Sequence, residues 1–386
     1  MKKVEQSWKA VLVLLLVATA VSIIKDPPTS VRSYDATGAL SYQVDPDWPA
    51  LPPGRPEPKR LQRRMGYMHG DVAVASNGEV YVSVQNMWYV KVYLDGKPAN
   101  ADMGLGPEYL DPYAGLQVYA PDGSYLRNVP NAPTDLHGFI INKESSGEYI
   151  YGVRVAATNA PPDQTKADWY RQGVVKMTLD GKIVLSIPAT AFPDKYKIKR
   201  DGTSFMRLSG LTVAPNGDIY VTDGYASDYI HRFDKTGKYL NTFGGKQEPY
   251  KFSTLHKLAI DTRFNPLRLI ATDRANNRMV HLSMEGDFLG VIADGMMLPA
   301  AVAIWGSYAA VAELGGQITV FDKEGRRAAV FGTNMRPDEK GNRTVEPSKW
   351  RPGIVTAPHG IAVNEHGDIF VSELNTFGRV HRFNRE

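Results

Sequence analysis

Apolar and polar residues alternate along most of this chain in short runs, and the runs recur in a fixed order. The clearest copy covers residues 209 to 244, where LTVA, IYVTD, YIHRFD and KYLNTFG read as strands with period two. Turn pairs such as Asn216-Gly217 and Thr236-Gly237, which tolerate positive φ, separate them. The same order recurs in HGIAVNEHGDIFVSELNTFGRVHRF from His359, in HKLAIDTRFNPLRLIATDRANNRMVHL from His256 and in AAVAIWGSYAAVAELGGQITVFDKEG from Ala300. Two longer copies are interrupted: one starts at Gly70 and resumes at LQVYAPDG, the other starts at His137 and resumes at GVVKMTLDG.

Six copies of a four-stranded unit predict an all-β chain folded as a six-bladed β-propeller, each twisted sheet packing on its neighbours around a central channel. A β-sandwich would not need so many copies of one unit, and no amphipathic helix of useful length competes. The last copy stops at Phe383-Asn384-Arg385-Glu386, where the others begin their outer strand. Residues 37–44, TGALSYQV, resemble the outer strand TGKYLNTF of the third unit, so this N-terminal strand is expected to complete the last blade and close the ring.

Composition narrows the chemistry. The chain has 386 residues, 43% hydrophobic and 22% charged, which suits a folded domain. A net charge of +4 from scattered Lys and Arg gives no reason to expect a nucleic-acid partner. With no cysteine, disulfides, Cys-bound zinc and thiol nucleophiles are excluded, and His, Asp and Glu remain for metal or acid-base work. At the N-terminus, Lys2, Lys3 and Lys9 precede an apolar run from Ala10 to Ile24, with Ala18-Thr19-Ala20 as a cleavage-type site. Residues 1–24 thus predict export to a periplasmic or secreted location, as a cleaved signal peptide or as an anchor attached to the membrane through residues 10–24. The run is shorter than the roughly 20 residues that cross a hydrocarbon core. The prolines between 25 and 60 predict a tether that contains the closing strand, followed by the propeller over 61–386.

Setting the units in register on the pair that opens each inner strand (Val72/Val74, Phe139/Ile141, Leu211/Val213, Leu258/Ile260, Val302/Ile304, Ile361/Val363) aligns Gly70, His137, Ser209, His256, Ala300 and His359. Histidine falls in every second unit. Inner strands line the channel of a propeller, so these imidazoles are expected to converge about 120° apart and to hold a metal with an open fourth position. A plainer reading is that repeats inherited a polar strand start, but the chain has only eight histidines, and strict alternation at one register favours the metal. Zinc suits imidazole nitrogen and calcium does not, while iron, copper and manganese also fit. His69 lies one residue off the register and reads either as a fourth ligand or, more plainly, as a surface or loop histidine. His231, His281 and His381 fall in the third strands and read as structural or solvated.

A second register follows the second strand, in Asp223-Gly224-Tyr225 and Asp273-Arg274. Tyr225 is a candidate general base if a metal and a cation lower its pKa from about 10. Arg274 is a candidate for fixing a carboxylate or oxyanion. The plainer reading packs Tyr225, pairs Arg274 with an acid and makes the Asp residues structural.

The repeats resemble NHL repeats, and six motifs together resemble the lyase domain of peptidylglycine α-amidating enzymes, the peptidyl-α-hydroxyglycine α-amidating lyases. The motifs are GLGPE from Gly104, LHGF from Leu136, TDGYASDYI from Thr222, LHKLAI from Leu255, TDRANNR from Thr272 and APHGIAV from Ala357. The resemblance implies zinc held by His137, His256 and His359, Tyr225 as base toward a substrate hydroxyl, and Arg274 near the reacting centre. The implied reaction cleaves the carbon-nitrogen bond of an α-hydroxyglycine end or a related small or peptide substrate, releasing glyoxylate and an amide. Two departures qualify this. The family's first blade offers a substrate Arg where this chain reads Val82-Ser83-Val84-Gln85-Asn86, which makes Asn86, Arg154 or Arg63 the candidate substitutes. The family's structural calcium uses an Asp after the third His, where this chain has Gly360, so only carbonyls near Val72 and Phe139 are left as candidate calcium ligands.

Two other functions compete. A non-catalytic NHL propeller would bind a protein partner at its blade-end loops or assemble in a membrane complex, its metal being structural. A lactonase-like hydrolase would carry a Glu/Asn/Asp-rich metal site, which the histidines argue against.

Overall fold

A computed structural model describes residues 40–52, 65–85, 93–94, 97–98, 114–154, 173–200 and 203–386. The period-two runs form six four-stranded antiparallel sheets, as the repeat predicts. Blade three shows the plan: Gly210–Val213, Ile219–Thr222, Tyr229–Phe233 and Tyr239–Gly244 hydrogen-bond in chain order from the channel outward. Two small two-stranded sheets, Tyr93–Leu94 with Lys97–Pro98 and Ile198–Arg200 with Thr203–Phe205, lie outside the blades. Helical structure among the described residues is limited to short 3₁₀ turns such as Arg274–Asn276.

Blade six takes Pro358–Val363, Ile369–Glu373 and Val380–Arg385 from the C-terminus and its outer strand, Tyr42–Asp45, from the N-terminus. The strands run antiparallel with Val44 opposite Phe383, so both chain ends share one sheet and the ring closes. The closing strand is shorter than the 37–44 stretch suggests and extends one residue further, to Asp45, where Pro46, which has no N–H to donate, follows. Part of the stretch read as tether belongs to the propeller. Leu40, Tyr42 and Val44 are buried, and Trp48 packs with its ring centroid 5.9 Å from Tyr119 and 5.2 Å from Phe370.

The core is divided into six apolar clusters, each filling the gap between two neighbouring blades. Between blades five and six, for example, Ala301, Ala310 and Ala312 face Ile361, Ile369 and Val371, and the N-terminal Leu40, Tyr42 and Val44 join them. Near the channel, hydroxyls take over the stitching. Ser83 Oγ donates to Leu136 O (2.7 Å), Thr222 Oγ1 to His256 O (3.3 Å), Thr272 Oγ1 to Ala300 O (3.3 Å) and Ser372 Oγ to Gly70 O (3.0 Å). Each bond runs from one blade's second strand to the next blade's inner strand or, at Gly70, to the residue two before it, which fixes the height of the inner strands relative to one another.

The N-terminal apolar run, Asn86, Arg63 and the GLGPE motif lie outside the described residues. Among the described residues, no helix is long and apolar enough to cross a membrane.

Candidate metal centre and its surroundings

His137 and His359 lie near the start of their inner strands and His256 at the second residue of its own, and all three are buried facing one another in the channel. Their ring centroids are 4.8 to 5.2 Å apart. Each Nδ1 is anchored by the blade that follows. His137 Nδ1–H donates to Ser209 O (2.6 Å), His256 Nδ1–H to Ala300 O (2.6 Å) and His359 Nδ1–H to Gly70 O (3.2 Å). A carbonyl can only accept, so each bond places the proton on Nδ1 and leaves Nε2 as a bare lone pair aimed into the channel. The acceptors are the residues of blades one, three and five at the histidine register, all of them small.

Three inward lone pairs cannot all be satisfied by protein. Tyr225 O–H donates to His256 Nε2 at 2.7 Å, and the same oxygen lies 2.9 Å from His137 Nε2, which has no proton to give back. His359 Nε2 is buried without any partner. Burial first, then the neighbouring imidazoles and Arg274, hold the pKa of all three histidines well below the usual value, so they are neutral. Neutral, oriented, under-satisfied nitrogens are what a borderline divalent cation binds, so these residues fit zinc.

His69 lies in the segment before the inner strand and is partly exposed, as its reading as a loop histidine expects, but its ring joins the same cluster. Its ring centroid lies 4.8 Å from those of His137 and His359, and its Nε2 is 3.3 Å from the Tyr225 oxygen. No register signal marks it, because it stands one residue ahead of the register position, Gly70, and three ahead of its inner strand. Its position follows from blade one lying between blades two and six.

Tyr225 and Arg274 reach the centre as the second register predicts. Gly224 makes room for that turn, since a Cβ there would lie 1.8 Å from Leu255 O. Arg274 Nη1 donates to the Tyr225 oxygen at 3.4 Å, and the guanidinium carbons of Arg274 and Arg207 stand 5.2 and 5.5 Å from the Tyr225 ring centroid. Burial raises the pKa of the Tyr225 phenol, against the pull of Arg274 and Arg207, so the residue is a neutral phenol here. Burial and then Arg274, Arg343 and Arg207 push His69 down to about 3. Sequence reasoning did not single out Arg207 or Arg343. Among the described residues no carboxylate pairs with Arg207, Arg274 or Arg343, and Arg207 Nε is buried without a partner.

The acids of the second register turn away from the centre. Asp273, Glu313 and Glu373 end the second strands of blades four to six, Asp223 directly follows that of blade three, and all four accept backbone N–H groups from the segments leading into the inner strands, namely those of Arg207, Ser253, Met297 and Thr356. Blade two has Arg154 at this position, and it makes a bidentate pair with Asp135 at 2.9 Å for both bonds. Arg154 is thus held by the same device with the charges exchanged, and its guanidinium is committed to Asp135. His281 and His381 are buried against Asp261 (2.9 Å) and Glu373 (2.6 Å), and His231 Nδ1 bonds Thr242 Oγ1 (2.8 Å), so the third-strand histidines are structural.

One residue further along the inner strands, Lys257 of blade four forms a buried ion pair across the channel with Asp71 of blade one. Asp71 also accepts from the backbone N–H groups of Val72 and Phe139. A Cβ at Gly360 would lie 2.4 Å from Asp71 Oδ1, so glycine after His359 clears the place for this carboxylate. Around Val72 and Phe139 the positive charge is an ammonium, and the residues do not fit a calcium ion.

No protein-family model matches the chain. A probable peptidyl-alpha-hydroxyglycine alpha-amidating lyase of Caenorhabditis elegans is 24% identical over 200 residues, covering 50% of this chain and 52% of the relative. Peptidyl-alpha-hydroxyglycine alpha-amidating lyase 1 of Drosophila melanogaster is 28% identical over 227 residues, covering 53% of this chain and 38% of the relative. The match thus spans about half or less of those relatives' length. Among solved structures, a gluconolactonase of Xanthomonas campestris superposes with a TM-score of 0.51 at 11% identity, covering 94% of this chain and 95% of that one, which speaks for the fold alone. The chain is a six-bladed β-propeller similar, at low identity, to the peptidyl-alpha-hydroxyglycine alpha-amidating lyases.

Proposed function

We propose that this protein is an exported, zinc-dependent lyase that cleaves the carbon-nitrogen bond of a peptidyl-α-hydroxyglycine or a related small hydroxylated acid. The observation that carries the reading is the set of inward Nε2 lone pairs on His137, His256 and His359, each fixed by an Nδ1 bond to the next blade. A purely structural ion would not need Tyr225 and Arg274 beside it.

Bound zinc would supply Lewis-acid charge at the three Nε2 atoms. Tyr225 has its oxygen among those nitrogens and beside Arg274; the charge of a bound metal would favour release of its own proton to solvent, and the phenolate then takes the proton of the substrate hydroxyl. The electron pair that the broken O–H bond leaves on oxygen forms the second C–O bond of glyoxylate as the C–N bond breaks, and the nitrogen leaves as the amide with the proton returned by Tyr225. Arg274 and Arg207 flank Tyr225 and favour an anionic substrate there, since no described carboxylate neutralises them. They supply cationic character that the first blade, with Val84 and Gln85, does not.

The test is metal analysis of the purified chain followed by an assay for glyoxylate release from an α-hydroxyglycine peptide. About one zinc per chain with turnover is expected. Absence of bound metal overturns the reading. Metal without turnover favours a protein-binding propeller with a structural ion.

A further inference from the structure

Blade one brings to the channel an imidazole that the repeat pattern does not provide for. His69 contacts the rings of His137 and His359, which are its neighbours around the ring, and stands across from His256 in blade four. The four rings form a diamond: His137 and His359 share the short diagonal at 4.8 Å, with His256 beyond one side and His69 beyond the other. Ring nitrogens of His69, His137 and His359 all lie within 4.8 Å of one another. Two histidine triads therefore share one edge.

The segment that carries His69 is built in from both sides. Gln85 N–H donates to Tyr67 O at 2.8 Å within blade one. Met68 and Asn375 of blade six exchange backbone bonds at 3.0 and 2.9 Å, and Asn375 is fully buried. Gln85 Nε2 donates to Leu136 O at 3.0 Å, tying the same corner to blade two. A histidine on such an anchored corner, its Nε2 facing the Tyr225 oxygen, is positioned rather than incidental.

We propose that His69 is a fourth imidazole ligand, so that the resting metal centre is held by His69, His137, His256 and His359. This rests on the metal reading above. His69 is the one partly exposed member, and its Nε2 lies farther from the Tyr225 oxygen than those of His137 and His256. It is therefore the position at which a substrate oxygen enters, by replacing His69 or by expanding the shell to five ligands. The nearby arginines would then draw an anionic substrate to the face of the metal that His69 guards.

The experiment loads the full chain with copper(II), counts coordinated imidazoles by pulsed electron paramagnetic resonance, and measures cobalt(II) affinity by visible absorption. Wild type, His69→Ala, His69→Gln and, as a distant histidine control, His366→Ala are compared, with near-ultraviolet circular dichroism to check folding. Four imidazoles in the wild type, three in His69→Ala, affinity weakened at least about tenfold, and partial recovery on adding free imidazole are expected. Unchanged imidazole count and affinity in His69→Ala overturn the proposal while leaving the three-histidine reading intact. If no metal binds the wild type, both fail. Should the His69 variants not fold, the wild-type count decides: four supports the proposal, because His69 is the only other described histidine whose ring meets His137 and His359, and three overturns it.

Discussion

Even and odd blades contribute different chemistry from the same backbone position. Blades two, four and six present His137, His256 and His359, while blades three, five and one answer with the carbonyls of Ser209, Ala300 and Gly70. In the even blades the side chain faces the centre; in the odd blades the carbonyl does, while the small side chain stays out of the way and, at Ser209, bonds Leu255 O. Alternation around the ring lets each of these imidazoles rest against a neighbour whose residue at the same register offers an acceptor carbonyl and no competing side chain. The lesson is that a converging set of histidines can be encoded half in the imidazoles and half in small residues whose backbone carbonyls orient them.

Removing an even-blade ligand is the hardest test of this division. His256→Ala should weaken metal binding by on the order of a hundredfold or more, beyond the loss expected for an outer-shell partner, as read by metal titration, with turnover lost in parallel. Retained stoichiometric metal would break the comparison. Tyr225→Phe should keep the metal but lower turnover by roughly 10²- to 10⁴-fold, measured as glyoxylate release.

The pair that joins an even blade to an odd one beneath the histidines tests the fold rather than the ion. Lys257→Met leaves the Asp71 carboxylate buried without its cation and should destabilise the protein by about 3–5 kcal/mol in urea unfolding. Adding Asp71→Asn should recover most of that loss, and an additive result would show that the two charges do not depend on each other. On the odd side, a Cβ at Gly70 would lie 2.5 Å from Ser83 Cβ. Gly70→Ala should therefore displace the carbonyl that holds His359 and weaken metal binding by about 10- to 100-fold, less than loss of a ligand.

The last predictions concern pH, at one structural position in two blades, where the effect per pH unit is small. Asp223 is raised to about 7 by burial, with no cation beside it, and its Oδ2 lacks a partner. Glu373 is also penalised by burial, but Arg379 and bonds from His381 and Thr356 outweigh that and lower it to about 2. The folded state holds the Asp223 proton more tightly than the unfolded chain, so this group costs stability as pH rises from 3.8 through about 7. Glu373 does the reverse, costing stability as pH falls from 4.5 through about 2. Each contributes at most about 1.4 kcal/mol per pH unit. Asp223→Asn should flatten the upper limb of the stability profile and Glu373→Gln the lower one; a variant that leaves its own limb unchanged would remove that group from the account.

The blade plan was legible because period-two alternation and turn residues are local, and a repeat multiplies the signal. The histidine register was legible for the same reason, since His137, His256 and His359 recur at one position of the unit. Tyr225 and Arg274 stood out by following the second strand, and the structure brings both to the centre. Arg154 also follows a second strand, but whether such a residue faces the channel or an acid on the preceding segment depends on Asp135, which no register marks. Arg343 comes from a long connection between blades five and six and carries no repeat signal at all.

Local pattern along the chain encodes the six sheets, the alternating histidines and the small residues between them, because each depends on neighbours within a few positions. Packing of the blades into a ring is what lets carbonyls of one blade orient the histidines of another, Lys257 meet Asp71 across the channel, and His69 join the cluster. These contacts join residues up to 289 positions apart, and they exist because the N-terminal strand closes the ring and brings blade one against blade six.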